Sequence, residues 1–403
     1  MAKAGRLFFS SDATSETLYS RIVPTEEQTE YLRQKWNDLA EYLAEDLRGR
    51  SGYSIRTWLQ GSYKYATVIR PLGLTEEYDV DLGVYFSWNA DQKGTPAPSQ
   101  IRQWTQEALH SYAEEADELH QVAEPAKERC SRAHYAKQFH IDVPVYHLDE
   151  NADERRLATL TLGWEPSDPK KLYQWFKECV SESERPLLRR CVRYAKAWAA
   201  RTFQNTPAAR PSSVLLTVLV AEAMQDLSMD DTDDEDAFGM VIASIHRRLG
   251  GSDVVLNPID AREDLNRIPP VARGQFRAAL DQLTDVCARA TQADDEAAAA
   301  WIWDEVFGYL FPPPDDAEVA TEGEIAGRAL VVTPDIEVRV YDAQRRWIRS
   351  HRNEVPQVDK GFWLKFAITN RELVPHWATI DWVVRNSGDE SSGKNDFGHE
   401  LRD

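Results

Sequence analysis

The sequence predicts an α+β protein with a mixed α/β first third, a helical middle and a β-rich end. In the first third, residues 78–86 and 139–146 alternate apolar and polar side chains with the period of a strand. Residues 164–310 have mostly helical apolar spacing, and three later segments again alternate as strands. These patterns predict a core with a mixed sheet, a helical second lobe and a small β-rich C-terminal domain.

A long amphipathic helix is predicted directly after Pro24. Thr25 and Gln28 have the spacing of a capping box, and leucines from Leu32 to Leu47 recur along one helical face. Gly52 marks the turn that ends this helix. A second, more polar helix is predicted over residues 100–118, between the two alternating segments.

The middle and the end of the chain divide at a proline-rich acidic stretch. Helices are predicted over residues 186–203, 212–227, 239–249, 271–291 and 295–310, with an acidic loop over 230–236. Residues 312–330 have linker composition, and strands are predicted over 336–341, 363–369 and 379–385. We therefore expect a mixed α/β lobe over 1–165, a helical lobe over 166–311, the linker over 312–330, and a C-terminal domain over 331–403.

The composition of the chain limits which binding partners and which cellular compartment are expected. The chain has 403 residues, 67 acidic and 47 basic side chains and a formal net charge of -20. This surplus argues against constitutive binding to duplex DNA or another polyanion. The longest apolar run, residues 214–224, is about half a membrane span and the N-terminus lacks a signal-peptide core, so no membrane association is expected. Four scattered cysteines without a Cys-x-x-Cys pair fit a cytoplasmic location.

Three carboxylates form the most informative pattern. Asp79 and Asp81 lie two residues apart on a predicted strand, so both side chains share one face. Asp142 has the same position on the later strand, opposite the apolar Ile141 and Val143. Three converging carboxylates around two divalent ions, Mg²⁺ or Mn²⁺, can carry out phosphoryl or nucleotidyl transfer. A solvated strand face is the alternative for the Asp-x-Asp pair alone.

A Gly-Ser turn precedes this strand. Glycine permits close approach of the backbone to a phosphate, so Gly61 and Ser62 could place N–H groups and a hydroxyl against a triphosphate. Alone, a Gly-Ser pair is nearly uninformative. Followed by the three carboxylates, it favours a nucleotide site.

The order of these motifs resembles the polymerase-β-like nucleotidyltransferase superfamily. Within it, Gln60-Gly61-Ser62-Tyr63, residues 67–72 and Tyr78-Asp79-Val80-Asp81-Leu82 resemble the bacterial cGAS/DncV-like nucleotidyltransferases of antiphage signalling. The resemblance implies that Asp79, Asp81 and Asp142 are catalytic metal ligands, with Asp142 accepting the proton of the attacking hydroxyl. It also implies that Gln60, Gly61 and Ser62 bind nucleotide.

The predicted helix that begins near Pro186 carries a basic stripe, Arg189, Arg193 and Lys196. For Arg189 and Arg193 a solvated helix face is an equal alternative. Lys196 lies in a stretch, residues 193–198, that resembles the family helix whose lysine contacts the triphosphate. Ser213, at the start of the next helix, corresponds in the same way to a phosphate-contacting serine, although a simple helix cap would also explain it.

The histidines and cysteines are less informative. His140 shares the face of Asp142 and could hydrogen-bond in the site or be structural. Cys130 and His134 could lie one helical turn apart, but no second pair completes a zinc site. The zinc-bearing insertion with which animal cyclic GMP-AMP synthase grips DNA is not recognisable.

The C-terminal segments 361–370 and 380–390 resemble the AGS-C domain, a sensor fused to some bacterial nucleotidyltransferases. Tryptophans on its strands are expected to form a small core. Trp347 is the exception, because Arg345, Arg346, Arg349 and Arg352 surround it in sequence and such a cluster could bind a small ligand or anion.

Together these features predict a Mg²⁺-dependent nucleotidyltransferase. The resemblance implies that it makes a cyclic di- or trinucleotide from NTP substrates, ATP or GTP among them, for a downstream effector in CBASS-type antiphage signalling. The alternatives are a template-independent transferase that makes linear products such as oligoadenylate, and an inactive sensor that only binds nucleotide.

Overall fold

The protein is described from a computed structural model that covers residues 3–72, 76–89, 94–312, 335–353, 358, 361–369, 381–385 and 398–402. The chain separates into two compact units, Met1–Asp315 with Arg385–Gly398, and Asp316–Val384 with His399–Asp403. The predicted linker lies mostly outside the described residues. No helix in the described ranges combines the length and apolar character needed to cross a membrane.

The first unit mixes a large sheet with many helices, which confirms the predicted α+β class. Its helices are α1 (Gly5–Phe8), α2 (Leu18–Ile22), α3 (Glu26–Ser51), α4 (Gly61–Tyr65), α5 (Pro98–Glu115), α6 (Pro169–Glu178), α7 (Arg185–Thr202), α8 (Ser213–Gln225), α9 (Asp234–Gly251), α10 (Arg273–Thr291) and α11 (Glu296–Phe307). Its strands are β1 (Ser54–Gln60), β2 (Tyr78–Ser87), β3 (Leu119–Val122), β4 (Ser131–Tyr135), β5 (Phe139–Val143), β6 (Val145–Asp149), β7 (Glu154–Ala158), β8 (Trp164–Pro166), β9 (Leu256–Asn257) and β10 (Asp260–Asp264).

Helix α3 forms as its sequence predicts. The Thr25 side chain accepts a hydrogen bond from the Gln28 backbone N–H, and the Gln28 side chain accepts one from Thr25, which completes the capping box. Gly52 ends the helix in the left-handed conformation with φ +73°. The buried leucines of α3 pack against strand β2 and helix α5.

The sheet has eight strands, β1 to β8, and β2 is its centre. Strands β5 and β6 run parallel to successive halves of β2, and β1 pairs with it antiparallel. Residues 139–146, predicted as one strand, form two because Pro144 separates β5 from β6 and has no N–H to donate. Apolar side chains of β2 and β5, such as Val80, Leu82 and Ile141, are buried in one core with α3 and α5.

A second core lies among the helices. Helices α7 to α11 form as predicted, with ends shifted by a few residues, and their apolar faces bury Trp198, Phe238 and Trp303. The N-terminal residues join this core, since the Phe8 ring contacts Trp303 with a centroid distance of 4.8 Å. The predicted acidic loop is wrong in part, because Asp233 caps α9 and Asp234 begins it.

The second unit is described by itself. Strands β11 (Ile336–Tyr341), β12 (Trp347–Arg352) and β13 (Trp363–Ile368) form an antiparallel sheet in the order β12-β11-β13. Strands β14 (Asp381–Arg385) and β15 (Gly398–Arg402) form a two-stranded sheet. The sequence predicted the β-rich character of this unit but not strand β12.

Candidate active site

Strand register brings the three predicted carboxylates together. Strand β2 pairs with β5 so that Asp81 lies opposite Asp142 and Asp79 lies opposite His140. Along β2, Asp79 and Asp81 are more exposed than the buried Tyr78, Val80 and Leu82 that alternate with them. Oxygen atoms of Asp79 and Asp142 and a ring nitrogen of His140 lie within 4.8 Å of one another. The sheet therefore presents a group of acids at one place.

Asp81 is a carboxylate in an unfavourable environment. Burial, and then the negative charges of Asp79 and Asp142, raise the pKa of Asp81 well above its ordinary value. Among the described residues, no cationic side chain lies within ion-pair distance of it, and Lys196 and Arg132 act on it only from further away. A carboxylate held in this way is destabilising unless a cation joins it.

Asp142 has a cationic partner. Both nitrogens of the Arg132 fork donate to it, with Nη2 2.8 Å from Oδ2, and the Lys127 ammonium lies 3.6 Å from Oδ2. Burial alone would raise the pKa of Asp142, but the hydrogen bonds and charge of Arg132 lower it overall. Arg132 thus supplies positive charge beside the acids, as a metal ion would.

These acids fit divalent metal ions. Oxygen donors are what Mg²⁺ and Mn²⁺ prefer, and the carboxylate of Asp81 lies close enough to Asp79 and Asp142 that, after burial, their negative charges raise its pKa. For Asp142 to ligate an ion, Arg132 must release at least one oxygen.

The Gly-Ser turn lies directly against Asp81. Gly61 begins the short helix α4 with φ +56°, and a Cβ atom at this position would overlap Oδ2 of Asp81. Only glycine therefore permits this approach of backbone and carboxylate. Ser62 follows in α4 and lines the same cleft.

Gln60 lies beside this turn, but its side chain is directed inward. Its amide nitrogen donates to the Tyr85 hydroxyl at 2.8 Å, and its oxygen accepts from Tyr146 at 3.1 Å. Gln60 is buried, and its predicted nucleotide contact stays a prediction. The observed contacts indicate that it anchors the end of β1 that leads into the turn.

Lys196 and Ser213 line the other wall of the cleft. Lys196 extends from α7, and its ammonium donates to the Thr67 carbonyl at 2.9 Å. Burial, together with the positive charge of Arg193, lowers the pKa of Lys196 to about 7. Ser213 is exposed in the first turn of α8, where Ser212 is the capping residue and accepts a hydrogen bond from the Leu215 N–H.

The cleft between these walls has a volume of about 1110 Å³ and contains seven of the eight predicted site residues, all except Asp142. Sequence reasoning missed several cationic side chains along it: Arg132, Arg155, Arg210 and Arg262. A sequence signal existed for Arg132, since residues 132–135 alternate polar and apolar as a strand does. An acidic protein thus contains a cleft with mixed charge.

The structure also shows the positions of the other arginine, cysteine and histidine candidates. Arg193 is not on a solvated face, because its Nε donates to the Val68 carbonyl at 3.1 Å. The idea that Cys130 and His134 share a helix turn is wrong, since the segment forms strand β4. His140 does hydrogen-bond in the site, with Nε2 2.9 Å from Oδ1 of Asp79.

The basic aromatic cluster of the second unit is solvent-exposed. Trp347, the expected exception, is 62% exposed. Trp363 is 49% exposed, so this strand tryptophan is not buried in the small core that was expected. The Arg345 guanidinium stacks over Trp363, 4.4 Å from the ring centroid. Trp377 and the side chain of Trp382 lie outside the described residues.

The site combines a Gly-Ser turn packed against carboxylates on a strand, a third acid on the paired strand and a lysine across the cleft. This arrangement is that of a nucleotidyltransferase. Residues 55–146 match the family described as cyclic GMP-AMP synthase DncV-like, nucleotidyltransferase domain.

Relatives and solved structures agree with this class. The chain is 30% identical over 396 residues to a cyclic GMP-AMP synthase of Escherichia albertii, covering 98% of this chain and 86% of that one. It is 25% identical over 222 residues to a c-di-GMP synthase of Roseivirga ehrenbergii, covering 47% and 54%. The fold is similar to Vibrio cholerae DncV in complex with the linear intermediate 5′ pppA(3′,5′)pG, with a TM-score of 0.63, 19% identity and coverage of 77% and 98%. The chain belongs to the cGAS/DncV-like nucleotidyltransferase family.

Proposed function

We propose that this chain is a Mg²⁺-dependent synthase that joins NTPs into a cyclic di- or trinucleotide second messenger. The observation that carries the proposal is the convergence of Asp79, Asp81 and Asp142 beside the Gly61 turn. The cyclic product and the use of ATP and GTP are supported by the relatives, which are named for cyclic GMP-AMP and c-di-GMP.

The proposed reaction is attack of a ribose hydroxyl of one nucleotide on the α-phosphorus of another. A new P–O ester bond forms, and the bond from the α-phosphorus to the leaving pyrophosphate breaks. Asp79, Asp81 and Asp142 would hold two Mg²⁺ ions, with Mn²⁺ as a substitute, whose chemistry there is to activate the hydroxyl and offset the charge of the pyrophosphate. A second transfer within the linear product closes the ring.

The side chains around the cleft have separate roles in this proposal. Gly61 and Ser62 receive the β- and γ-phosphates from one side, and Lys196 and Ser213 receive them from the other. Asp142 accepts the proton of the attacking hydroxyl, which requires Arg132 to release one of its oxygens. Gln60 keeps the turn in place through Tyr85 and Tyr146.

The resemblance to the bacterial enzymes of antiphage signalling suggests a biological setting for the enzyme. We place the enzyme in CBASS-type antiphage signalling, where a downstream effector recognises the cyclic product. A cytoplasmic location is supported by the four cysteines, which are all free and buried. Constitutive duplex DNA binding is not part of the proposal, because the net charge is -20.

The domain division also stays a proposal, with a catalytic lobe over 1–165, a helical lobe over 166–311, a linker over 312–330 and an AGS-C-like sensor over 331–403. The exposed Trp347 and the Arg345–Trp363 stack support a small anionic or nucleotide ligand for the sensor.

One assay separates the proposal from its alternatives. The full-length chain is incubated with labelled ATP, GTP, CTP and UTP and Mg²⁺, and the products are treated with phosphatase and weighed by mass spectrometry. The proposal expects a phosphatase-resistant product with the mass of a cyclic oligonucleotide. A phosphatase-sensitive ladder would instead identify a linear transferase. Equal inertness of the native chain and Asp81→Asn with all metals and NTP mixtures would identify a nucleotide-binding sensor.

A further inference from the structure

A second group of metal-ligating side chains lies beside the three carboxylates. Strands β4 and β5 are antiparallel and place His134 directly opposite His140. Strand β2 is parallel to β5 with Tyr78 opposite Phe139, so Glu77, the residue before β2, reaches the same place. Three residues from separate parts of the chain converge here, and the reaction described above uses none of them as a ligand.

The donor atoms have the spacing of a metal site. Oε2 of Glu77 lies 2.8 Å from Nδ1 of His140 and 3.1 Å from Nδ1 of His134. One donor atom from each of the three residues lies within 4.8 Å of the other two. Around a tetrahedral ion with bonds of about 2.1 Å, neighbouring donors are roughly 3.4 Å apart. The two distances from Glu77 lie within about 0.6 Å of that spacing, so modest side-chain shifts would seat an ion.

The chemistry of these donors differs from that of the three aspartates. Two imidazole nitrogens and one carboxylate suit a borderline transition ion such as Zn²⁺, whereas Mg²⁺ prefers oxygen. The side chains of Glu77 and His134 are 30% and 29% exposed, which leaves a path for an ion and a fourth position for water. His140 is only 8% exposed and forms the inner wall.

The other nitrogen of His140 connects this group to Asp79. Its Nε2 lies 2.9 Å from Oδ1 of Asp79. Histidines that bind metal through one nitrogen commonly donate a hydrogen bond from the other to a carboxylate, which orients both groups. An ion on Nδ1 would leave Nε2 free to donate in this way.

We propose that Glu77, His134 and His140 form a second divalent metal site, selective for a Zn²⁺-class ion, that positions Asp79 through His140. The alternative is a hydrogen-bonded histidine–carboxylate network that binds no metal.

Co²⁺ tests this site without nucleotide and without activity. Four-coordinate Co²⁺ with nitrogen ligands absorbs visible light much more strongly than Co²⁺ in an octahedral oxygen site. The full-length chain is titrated with Co²⁺ in excess Mg²⁺, which fills oxygen sites. The proposal expects an intense band that saturates at one equivalent and is lost on adding one equivalent of Zn²⁺. Because neither step uses NTP, this result is independent of the proposed reaction.

Variants assign the band to residues. His134→Ala and Glu77→Gln should each weaken Co²⁺ binding by at least tenfold, about the loss found for partners of metal ligands. His246→Ala is the matched control, since His246 is a surface histidine paired with Asp281, and it should leave the titration unchanged. Circular dichroism checks that each variant is folded. If His134→Ala does not fold, the test is made with Glu77→Gln. The proposal is overturned if the native chain gives no intense band, or if folded His134→Ala or Glu77→Gln keeps it.

Discussion

Asp81 in the cleft and Asp234 in the helical core are both acids removed from water, and their surroundings are opposite. Asp234 accepts hydrogen bonds from Arg190 Nε at 2.7 Å, from Arg190 Nη2 at 2.8 Å and from the Tyr194 hydroxyl at 2.6 Å. Asp81 faces two other carboxylates, and its pKa is raised by burial and by their charge. A satisfied buried acid stabilises its lobe, whereas an unsatisfied one costs stability and marks a place where a cation is needed.

The largest expected effect is the loss of turnover in Asp81→Asn. An amide is a much weaker metal ligand than a carboxylate, so we expect turnover of NTP to fall at least a thousandfold, equivalent to about 4 kcal/mol of transition-state stabilisation. Product formation is measured by mass spectrometry under saturating Mg²⁺ and NTP. If Asp81→Asn retained more than a tenth of native turnover, Asp81 would not be a catalytic ligand.

The reverse pattern is expected for Asp234→Asn. Breaking its bidentate pair with Arg190 leaves a buried guanidinium short of a charge, so the free energy of unfolding should fall by about 3 kcal/mol. Asp234 does not line the cleft, and the folded variant should keep native turnover within a few fold. The matched control is Glu30→Gln, which breaks a solvent-exposed pair with Arg33 and should leave stability almost unchanged. Urea denaturation measures the free energy of unfolding of the native chain, Asp234→Asn and Glu30→Gln. Equal losses of stability in the two variants would show that burial of the Asp234–Arg190 pair makes no difference.

Gly61→Ala tests the contact that holds Asp81 in place. The added Cβ would overlap the Asp81 carboxylate, and a displacement near 1 Å at a catalytic group can cost about a hundredfold in turnover. Gly52→Ala is the control, because Gly52 also has positive φ but no neighbour within 4 Å of an added Cβ. It should cost roughly 1 kcal/mol of stability and leave turnover unchanged. Similar turnover in both variants would show that the contact is unimportant.

The smallest effect concerns pH and Lys196. Its pKa is lowered to about 7 in the folded chain from 10.5, so it loses its charge as the pH rises through 7. Affinity for NTP should then fall by up to tenfold per pH unit above 7, and this dependence should be flatter in Lys196→Met. Between pH 7 and 10.5 the unfolded chain holds this proton and the folded chain does not, so this group makes stability rise with pH. Isothermal titration with a non-hydrolysable NTP checks the affinity; parallel pH profiles for both chains would argue against the role of Lys196.

Features that depend on local sequence could be predicted. The capping box of α3 and the common face of Asp79 and Asp81 follow from spacing alone. The proximity of Asp142 required the further expectation that its strand, which repeats the same alternation, neighbours theirs, and the pairing of Asp81 with Asp142 bears this out.

Features set by tertiary pairing could not be predicted. Arg132 reaches Asp142 because β4 and β5 pair in one register, and the local alternation around Arg132 indicates a strand without giving that pairing. Asp234 lies in an acidic run that predicted a solvent-exposed loop. It is instead buried, because Arg190 and Tyr194 of α7 donate hydrogen bonds to its carboxylate. Glu77 is far in sequence from His134 and His140, and only the pairing of β2 with β5 brings it to them.

Metal-dependent stability is the most direct test of the contrast between the two acids. The free energy of unfolding is measured for the native chain, Asp81→Asn and Asp234→Asn at neutral pH, with chelator and with saturating Mg²⁺ or Mn²⁺. Without metal, Asp81→Asn should be more stable than the native chain, because the raised pKa means that ionised Asp81 costs stability above its unfolded pKa. Metal should stabilise the native chain and Asp234→Asn but not Asp81→Asn. Two results would contradict the assignment of Asp81 as a carboxylate that binds the metal ion. In one, Asp81→Asn is less stable than the native chain without metal. In the other, metal stabilises Asp81→Asn as much as it stabilises the native chain.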